Sequence, residues 1–372
     1  MEIGVNFSGE WNKLTVHGVG LNGFYEPGDV LDAGNSGTTA RLMMGMLSGQ
    51  PFLSIITGDD SLKKRPMGRI SDPLQQMGVS IDGRNNGMNL PLSLHGPVLR
   101  SLDYALPVAS AQLKSALLLA SLYANGESKL GGKINSRDHT ERMLKTFGSK
   151  ILCKWGRILL PGRQVLKGKD IKVPGDFSAA SFFLVAGVLA QKADIFLEGV
   201  GINPGRTGLL EILSKMGAKI EISNRREYGH EPVADLYVAG PSTLKGVVIG
   251  EEMVPRLVDE IPILVVAALF ARGQTVIKGA GELRLKESDR LHALSVELGK
   301  MGASIKEFPD GLIIEGNGDI TGSRCHSHGD HRIAMSLAIA ALFAYGETII
   351  EDPECAYISY PKFYKTLAEL QQ

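Results

Sequence analysis

SKMGAKI, residues 214–220, is the stretch on which the fold turns. Its Lys-Met reads as the last turn of an amphipathic helix, its glycine as the stop, and its Ala-Lys-Ile as the start of a strand. QQMGVSI (75–81), KTFGSKI (145–151) and GKMGASI (299–305) repeat the same order. The marker glycines are therefore Gly78, Gly148, Gly217 and Gly302, at intervals of 70, 69 and 85 residues. Self-similarity at a near-constant interval marks a recurring supersecondary unit.

Between the markers lies a second motif: a polar cap, an apolar helix and a small-residue exit. It occurs as GNSGTTARLMMGMLSG (34–49), SAQLKSALLLASLYANG (110–126), GDFSAASFFLVAGVLA (175–190), DEIPILVVAALFARG (259–273) and DHRIAMSLAIAALFAYG (330–346). A short strand such as TVIKG or TIIED follows, then a loop and usually a more amphipathic helix, so the unit reads as β-α-β-α-β-like, five times over. The opening MEIGVNF, with Gly4 standing 74 residues before Gly78, matches the tail of a further unit. Five full units and a remnant imply six in the parent architecture, divided into two three-unit lobes. The expected boundary falls in KGKDIKVPGD (167–176), giving a first lobe at 1–168 (two full units plus the remnant) and a second at 169–372 (three units).

A length of 372 residues suits two domains, and 44% hydrophobic with 22% charged residues is an ordinary globular balance. Lys plus Arg equals Asp plus Glu at 40 each, which argues against a nucleic-acid or membrane surface and makes any positive field local. Cys153, Cys325 and Cys355 lie far apart, so neither a disulfide framework nor a thiolate metal site is indicated. The N-terminus has no apolar signal core, and IPILVVAALFA (261–271) is too short to span a bilayer. A soluble chain in a reducing, cytoplasmic setting, acting as a monomer, is the expectation.

LDAGNSGTTARL (31–42) admits two readings. Ser, Thr and Asn are ordinary capping residues. Glycines ahead of a helix also let an anion approach unpaired backbone N–H groups and the positive end of the helix dipole. Unusual charge collects in other loops: DDSLKKRPMGRI (59–70), NSRDHTERM (135–143), GRTG (205–208), ELRLKESDR (282–290) and DHR (330–332). Each alone reads as a solvated turn. Equivalent loops of packed repeats would instead meet, and arginine forks would then grip a substrate with more than one anionic group. Asp259 opens the most apolar helix, where capping alone would explain it. Glu287 sits among Lys286, Asp289 and Arg290, where an ion-pair network would explain it. The functional reading makes one carboxylate a base and the other an acid, with Lys286 and Arg290 stabilising charge nearby.

Three further patterns lead away from chemistry. GVGLNG (18–23) has the spacing of a dinucleotide loop but runs into FYEPGD and not into a helix. No phosphate-binding GxxxxGK[ST] occurs. HSHGDHR (326–332) offers three histidines without a completing ligand set, so no metal is expected.

Taken in order, LDAGNSGTTARL, KKRPM, SAQLKSALLLA, SRDHTERML, PGDFSAASFFLVAG, DEIP, ELRLKESDR and GDHRIAM resemble the 5-enolpyruvylshikimate-3-phosphate synthase family, the 3-phosphoshikimate 1-carboxyvinyltransferases. The resemblance implies an α/β fold: a two-domain inside-out α/β barrel of repeated βαβαββ units, the enolpyruvyl transferase fold. It implies transfer of the enolpyruvyl group of phosphoenolpyruvate to the 5-hydroxyl of shikimate 3-phosphate, by addition and elimination, on the shikimate pathway to chorismate and the aromatic amino acids. No metal or organic cofactor is implied. Carried over, Ser110, Ala111, Gln112, Arg137, Asp259 and Lys286 would hold shikimate 3-phosphate. Gly37, Arg65, Gln112, Arg290 and Arg332 would hold phosphoenolpyruvate. Asp259 would take the hydroxyl proton, Glu287 would protonate the methylene carbon, and Lys286 completes the catalytic set.

The family's PGDKS-type opening is not found in residues 1–30, and PGDFS (174–178), its repeat-related copy, has Phe177 where the lysine would stand. Two expectations follow: exposed apolar surface in the first lobe, and a rate lowered about 10²–10³-fold for a lost cation. The alternatives are therefore a chain that binds shikimate 3-phosphate but turns over poorly, or a UDP-N-acetylglucosamine enolpyruvyl transferase. KESDR, DHRIAM and the lack of a candidate loop cysteine in the first lobe weigh against the latter.

Overall fold

Each marker glycine stops a helix by entering the left-handed region, with φ of +103° at Gly78, +85° at Gly148, +103° at Gly217 and +92° at Gly302. A side chain would be strained there, which is why the repeat keeps glycine at the stop. The helices they end are Gly68–Gln76, His139–Thr146, Gly208–Met216 and Arg290–Lys300. The strands that follow are Ser80–Gly83, Leu152–Lys154, Ile220–Tyr228 and Ser304–Phe308. These features belong to a computed structural model that describes residues 3–10, 12–96 and 98–371; Met1 and Glu2 of the expected remnant lie outside them.

Three units carry the same four-stranded sheet. In the first, Leu31–Asp32 runs parallel to Ser54–Thr57 across the helix Gly37–Leu47, and Asn89–His95 lies antiparallel between Ser54–Thr57 and Ser80–Gly83. Asp103–Leu106 and Glu127–Gly132 repeat the parallel pair across Ala111–Ser121, and Val248–Ile249 and Gly273–Ile277 repeat it across Ile261–Leu269. A parallel pair requires such a crossover, and the helix is the element that makes it. Two units are abbreviated. The one beginning near Gly175 reduces its first strand to a single bridge, Gly175 to Val200. The last pairs Arg324–His326 with Ile349–Glu351 across His331–Ala341 and, among the described residues, has no closing hairpin. Among the described residues the hairpin Asn6–Glu10 with Lys13–His17 forms a two-stranded sheet of its own.

The chain forms two compact units, Met1–Ile171 and Lys172–Gln372, each with its own core. In the first, Gly37–Leu47 packs on Ala111–Ser121 so closely that a Cβ at Gly45 would lie 2.2 Å from the Ala116 carbonyl oxygen. In the second, every residue of Ile261–Leu269 is buried, as are most of Phe177–Leu189 and His331–Ala341. A helix apolar on all sides has to lie inside a core. The Phe363 ring sits 5.8 Å from both Phe182 and Phe183, tying the C-terminal helix Phe363–Glu369 to that core.

The hairpin Asn6–Glu10 with Lys13–His17 carries exposed apolar side chains. Phe7 pairs with Val16 and Gly9 with Leu14, so Phe7, Leu14 and Val16 share one face, and all three are about half exposed. GVGLNG follows the strand Lys13–His17 and leads into residues without helix, as its sequence context suggests. No helix among the described residues is long and apolar enough to cross a membrane.

Candidate active site

In the first unit Gly37, Arg65 and Gln112 gather at two helix starts. Ser36 caps Gly37–Leu47, its Oγ accepting from Thr39 N at 3.1 Å, so the capping reading of GNSGTT is correct for this residue. Asp59 accepts from Asn35 Nδ2 at 2.6 Å and from Leu62 N at 2.7 Å, which anchors the turn that delivers Arg65. Arg65 Nη2 then donates to Asn35 Oδ1 at 3.1 Å. A Cβ at Gly37 would stand 2.9 Å from Arg41 Nη1 and 3.5 Å from Arg65 Nη1. Two guanidinium groups thus stand against the bare first turn, and a side chain here would displace the tip of Arg41.

Ser110 caps the neighbouring helix through Leu113 N at 3.3 Å, and Ala111 and Gln112 form its first turn. Gln112 joins the two helices: its Oε1 accepts from Arg41 Nη1 at 2.7 Å and its Nε2 donates to Thr38 Oγ1 at 2.8 Å. Arg137 follows a loop pinned from below. Lys114, fully buried, pairs with Glu141 at 2.7 Å and donates to the carbonyls of Ile134 and Ser136 at 3.1 and 3.2 Å.

In the second unit Asp259 does not cap its helix. Glu260 occupies the cap position of Ile261–Leu269, and neither acid caps it with a side chain. The Asp259 carboxylate turns instead to three arginines: Oδ2 lies 3.3 Å from Arg206 Nη1, and Oδ1 lies 3.7 Å from Arg290 Nη1 and 3.9 Å from Arg332 Nε. Arg332 Nη1 also donates to the Asp259 carbonyl at 3.0 Å. Asp330 caps His331–Ala341 through Arg332 N at 2.9 Å while taking Arg290 Nε at 2.8 Å, Arg290 Nη2 at 3.2 Å and Ser288 Oγ at 3.0 Å. Glu287 Oε2 lies 2.5 Å from Arg290 Nη2. The unit therefore brings Asp259, Glu287, Arg290 and Arg332 together. Lys286 is next in the chain, but its ammonium pairs with Glu282 at 3.2 Å.

Burial sets the electrostatics of this cluster. It pushes the Asp330 carboxyl up, but Arg290, together with His331 and the Arg332 backbone N–H, holds the carboxyl below the usual range. Glu260 is fully buried; desolvation, added to by Asp259, raises its carboxyl above the usual value despite Arg206, Arg332 and a hydrogen bond from Ser178. Burial and then the charge of Arg332 lower His331 below the ordinary imidazole value. The other two histidines of HSHGDHR are bound to separate carboxylates, His326 to Asp352 at 3.1 Å and His328 to Glu297 at 2.9 Å.

Three members of these clusters were not singled out from sequence. Arg41 lies four residues after Gly37, and that helical spacing is the signal that could have found it. Asp330 opens the DHR motif, where an ordinary helix cap is all that its local sequence signals. Arg206 was inside GRTG, but its partner Asp259 is 53 positions away and no spacing rule links them.

Repeated units with charged helix starts define an enolpyruvyl transferase type of fold. The chain matches the enolpyruvyl transferase NikO from Streptomyces tendae with a TM-score of 0.73 at 18% identity, over 88% of this chain and 75% of that one, a likeness of fold. The chain belongs to the EPSP synthase (3-phosphoshikimate 1-carboxyvinyltransferase) family, whose model matches residues 2–367. It is 44% identical to EPSP synthase from Acinetobacter baumannii, with a TM-score of 0.88 over 99% of this chain and 85% of that chain. It is 52% identical to the 3-phosphoshikimate 1-carboxyvinyltransferase of Gloeobacter violaceus over 372 residues, all of this chain and 86% of the relative. The same enzyme of Pelotomaculum thermopropionicum is 50% identical over 370 residues, 99% of this chain and 86% of the relative.

Proposed function

We propose that this chain transfers the enolpyruvyl group of phosphoenolpyruvate to the 5-hydroxyl of shikimate 3-phosphate and releases phosphate. The observation that carries the reading is the family match over residues 2–367, with half of the residues identical to relatives named for this activity. In the first step a proton adds to the methylene carbon of phosphoenolpyruvate, the 5-oxygen bonds to its C2, and the hydroxyl proton leaves to Asp259. In the second, the C2–O bond to phosphate breaks and the methyl group gives back a proton.

The residue roles are those the family resemblance implies, and the chemistry of the side chains is in keeping with them. Gly37, Arg65, Gln112, Arg290 and Arg332 hold phosphoenolpyruvate, because fixed guanidinium forks and a bare helix start suit phosphate and carboxylate. Ser110, Ala111, Gln112, Arg137, Asp259 and Lys286 hold shikimate 3-phosphate. Three nearby guanidiniums favour the ionised form of Asp259, which a base requires. Glu287, whose Oε2 stands beside Arg290 Nη2, is the proton donor to the methylene carbon. Lys286 exchanges Glu282 for substrate oxygen. The chain acts as a monomer in the cytoplasm, away from nucleic acid and membrane, in keeping with its balanced charge and free Cys153, Cys325 and Cys355.

The test is phosphate release on mixing the purified chain with both substrates, with light scattering for the monomer. Turnover with shikimate 3-phosphate is the expected result. Turnover only with UDP-N-acetylglucosamine would overturn the substrate, and thermal stabilisation by shikimate 3-phosphate without turnover would overturn the activity.

A further inference from the structure

Arg206 belongs to neither substrate set, yet it is built into the cluster as firmly as any member. It projects from a turn between the strand Asp194–Gly201 and the helix Gly208–Met216. That turn is fixed from both sides: Asn203 accepts from Gly205 N through Oδ1 and from Arg206 N through its carbonyl, each at 2.8 Å. Arg256 Nε donates to the Pro204 carbonyl at 2.9 Å and its Nη1 reaches Glu211 Oε2 at 2.8 Å.

The guanidinium is used on both edges. Nη2 donates to Ser178 Oγ and lies 3.4 Å from Asp176 Oδ1 and 3.7 Å from the buried Glu260 Oε1. Ser178 in turn donates to Glu260. An arginine serving only the buried carboxylate and the first turn of Phe177–Leu189 would need no more than this edge. The other nitrogen, Nη1, points at Asp259 Oδ2, while Arg290 and Arg332 approach the opposite oxygen, Oδ1. The two carboxylate oxygens are thus served by different cations, and only the pair on Oδ1 is assigned to phosphoenolpyruvate.

We infer that Arg206 is a positioning residue for the transfer: it fixes Asp259 through Oδ2, presents Oδ1 to the substrate hydroxyl, and remains as the matching charge when Arg290 and Arg332 are drawn to the substrate anion. The inference rests on Asp259 acting as the base. The charged groups facing Asp259 are Arg206, Glu260, Arg290 and Arg332, with Glu287 and Asp330 behind Arg290. Of these, Arg206 is the cation whose removal leaves the phosphoenolpyruvate contacts in place.

The experiment compares Arg206→Gln and Arg206→Lys with the unaltered full chain. For Arg206→Gln, kcat falls about 10²-fold while the KM for phosphoenolpyruvate changes less than about threefold, since the lost interaction orients the base and does not bind that substrate. The acidic limb of the kcat profile moves up by about one pH unit, the effect of removing an opposite charge within a few ångströms. Arg206→Lys keeps the charge but loses the two-edged fork, so its limb stays near that of the unaltered chain while kcat remains depressed. A ¹³C titration of the Asp259 carboxyl, assigned with Asp259→Asn, reads the same displacement without turnover. An unmoved limb and an unmoved Asp259 titration in Arg206→Gln overturn the inference, as does a loss confined to KM. Full turnover by Asp259→Asn would overturn the assignment of the base and this inference with it. Loss of turnover in Asp259→Asn alongside an unmoved titration in Arg206→Gln overturns the role of Arg206 alone.

Discussion

Arg41 donates through Nη1 to Gln112 Oε1 at 2.7 Å, across the contact between two helices that begin with Gly37 and Ala111. Because arginine can only donate, this contact fixes the orientation of the Gln112 amide and leaves its NH₂ for Thr38 Oγ1. Gln112→Ala is therefore expected to raise the Kd for phosphoenolpyruvate roughly 10–100-fold, the range for losing a hydrogen bond to a charged partner. Calorimetric titration in the presence of shikimate 3-phosphate checks it.

Arg332 is held by the Asp259 carbonyl and stands at a helix start, where it suits an incoming anion. Arg332→Ala should weaken phosphoenolpyruvate binding roughly 10–100-fold and shikimate 3-phosphate binding by less than about threefold. Equal losses in the two titrations would count against the assignment.

Lys114 and Glu141 form a buried pair in the first unit. Lys114→Met strands the carboxylate and should cost about 3–5 kcal/mol in denaturant unfolding. Adding Glu141→Leu should recover most of that stability. Affinity for shikimate 3-phosphate should stay low in the double variant, because the carbonyls of Ile134 and Ser136 ahead of Arg137 have lost their clamp.

The second unit holds titratable groups of opposite sign in their pH response. The Asp330 carboxyl lies below its ordinary 3.8, so its contribution is present above that pH and is lost as pH falls through the folded-state value. His331 lies below 6.5, so the folded chain binds its proton less readily than the unfolded chain, and stability falls as pH drops below 6.5. Glu260 lies above 4.5, so its contribution is present below 4.5 and is lost as pH rises. Melting temperatures taken between about pH 4 and pH 8 should show Glu260→Gln gaining on the unaltered chain as pH rises. Asp330→Asn should be less stable near neutrality and show a shallower loss in acid.

The repeat was legible because it is written in local chemistry. A glycine stop, a capped apolar helix and a short strand each depend on neighbours within one helical turn, and Gly78, Gly148, Gly217 and Gly302 all fulfil the expectation. Less legible was the shrinkage of one unit's first strand to the bridge at Gly175, since pairing is decided by a strand elsewhere in the chain. The role of Asp259 turned on a shift of one residue: the helix takes Glu260 as its cap, which frees the neighbouring carboxylate for arginines. Ion-pair partners such as Arg206 with Asp259, or Arg290 with Asp330, are 40 or more positions apart and became readable only in three dimensions.

One absent methyl group has a wider reach than its size suggests. With hydrogen alone at position 45, the Ala116 carbonyl can nest against the neighbouring helix, and that seat lies two turns from Thr38 and one turn from Gln112. The spacing of the helix ends that carry Thr38 and Gln112 is thus set deep inside the core, by the contact of Gly45 with Ala116.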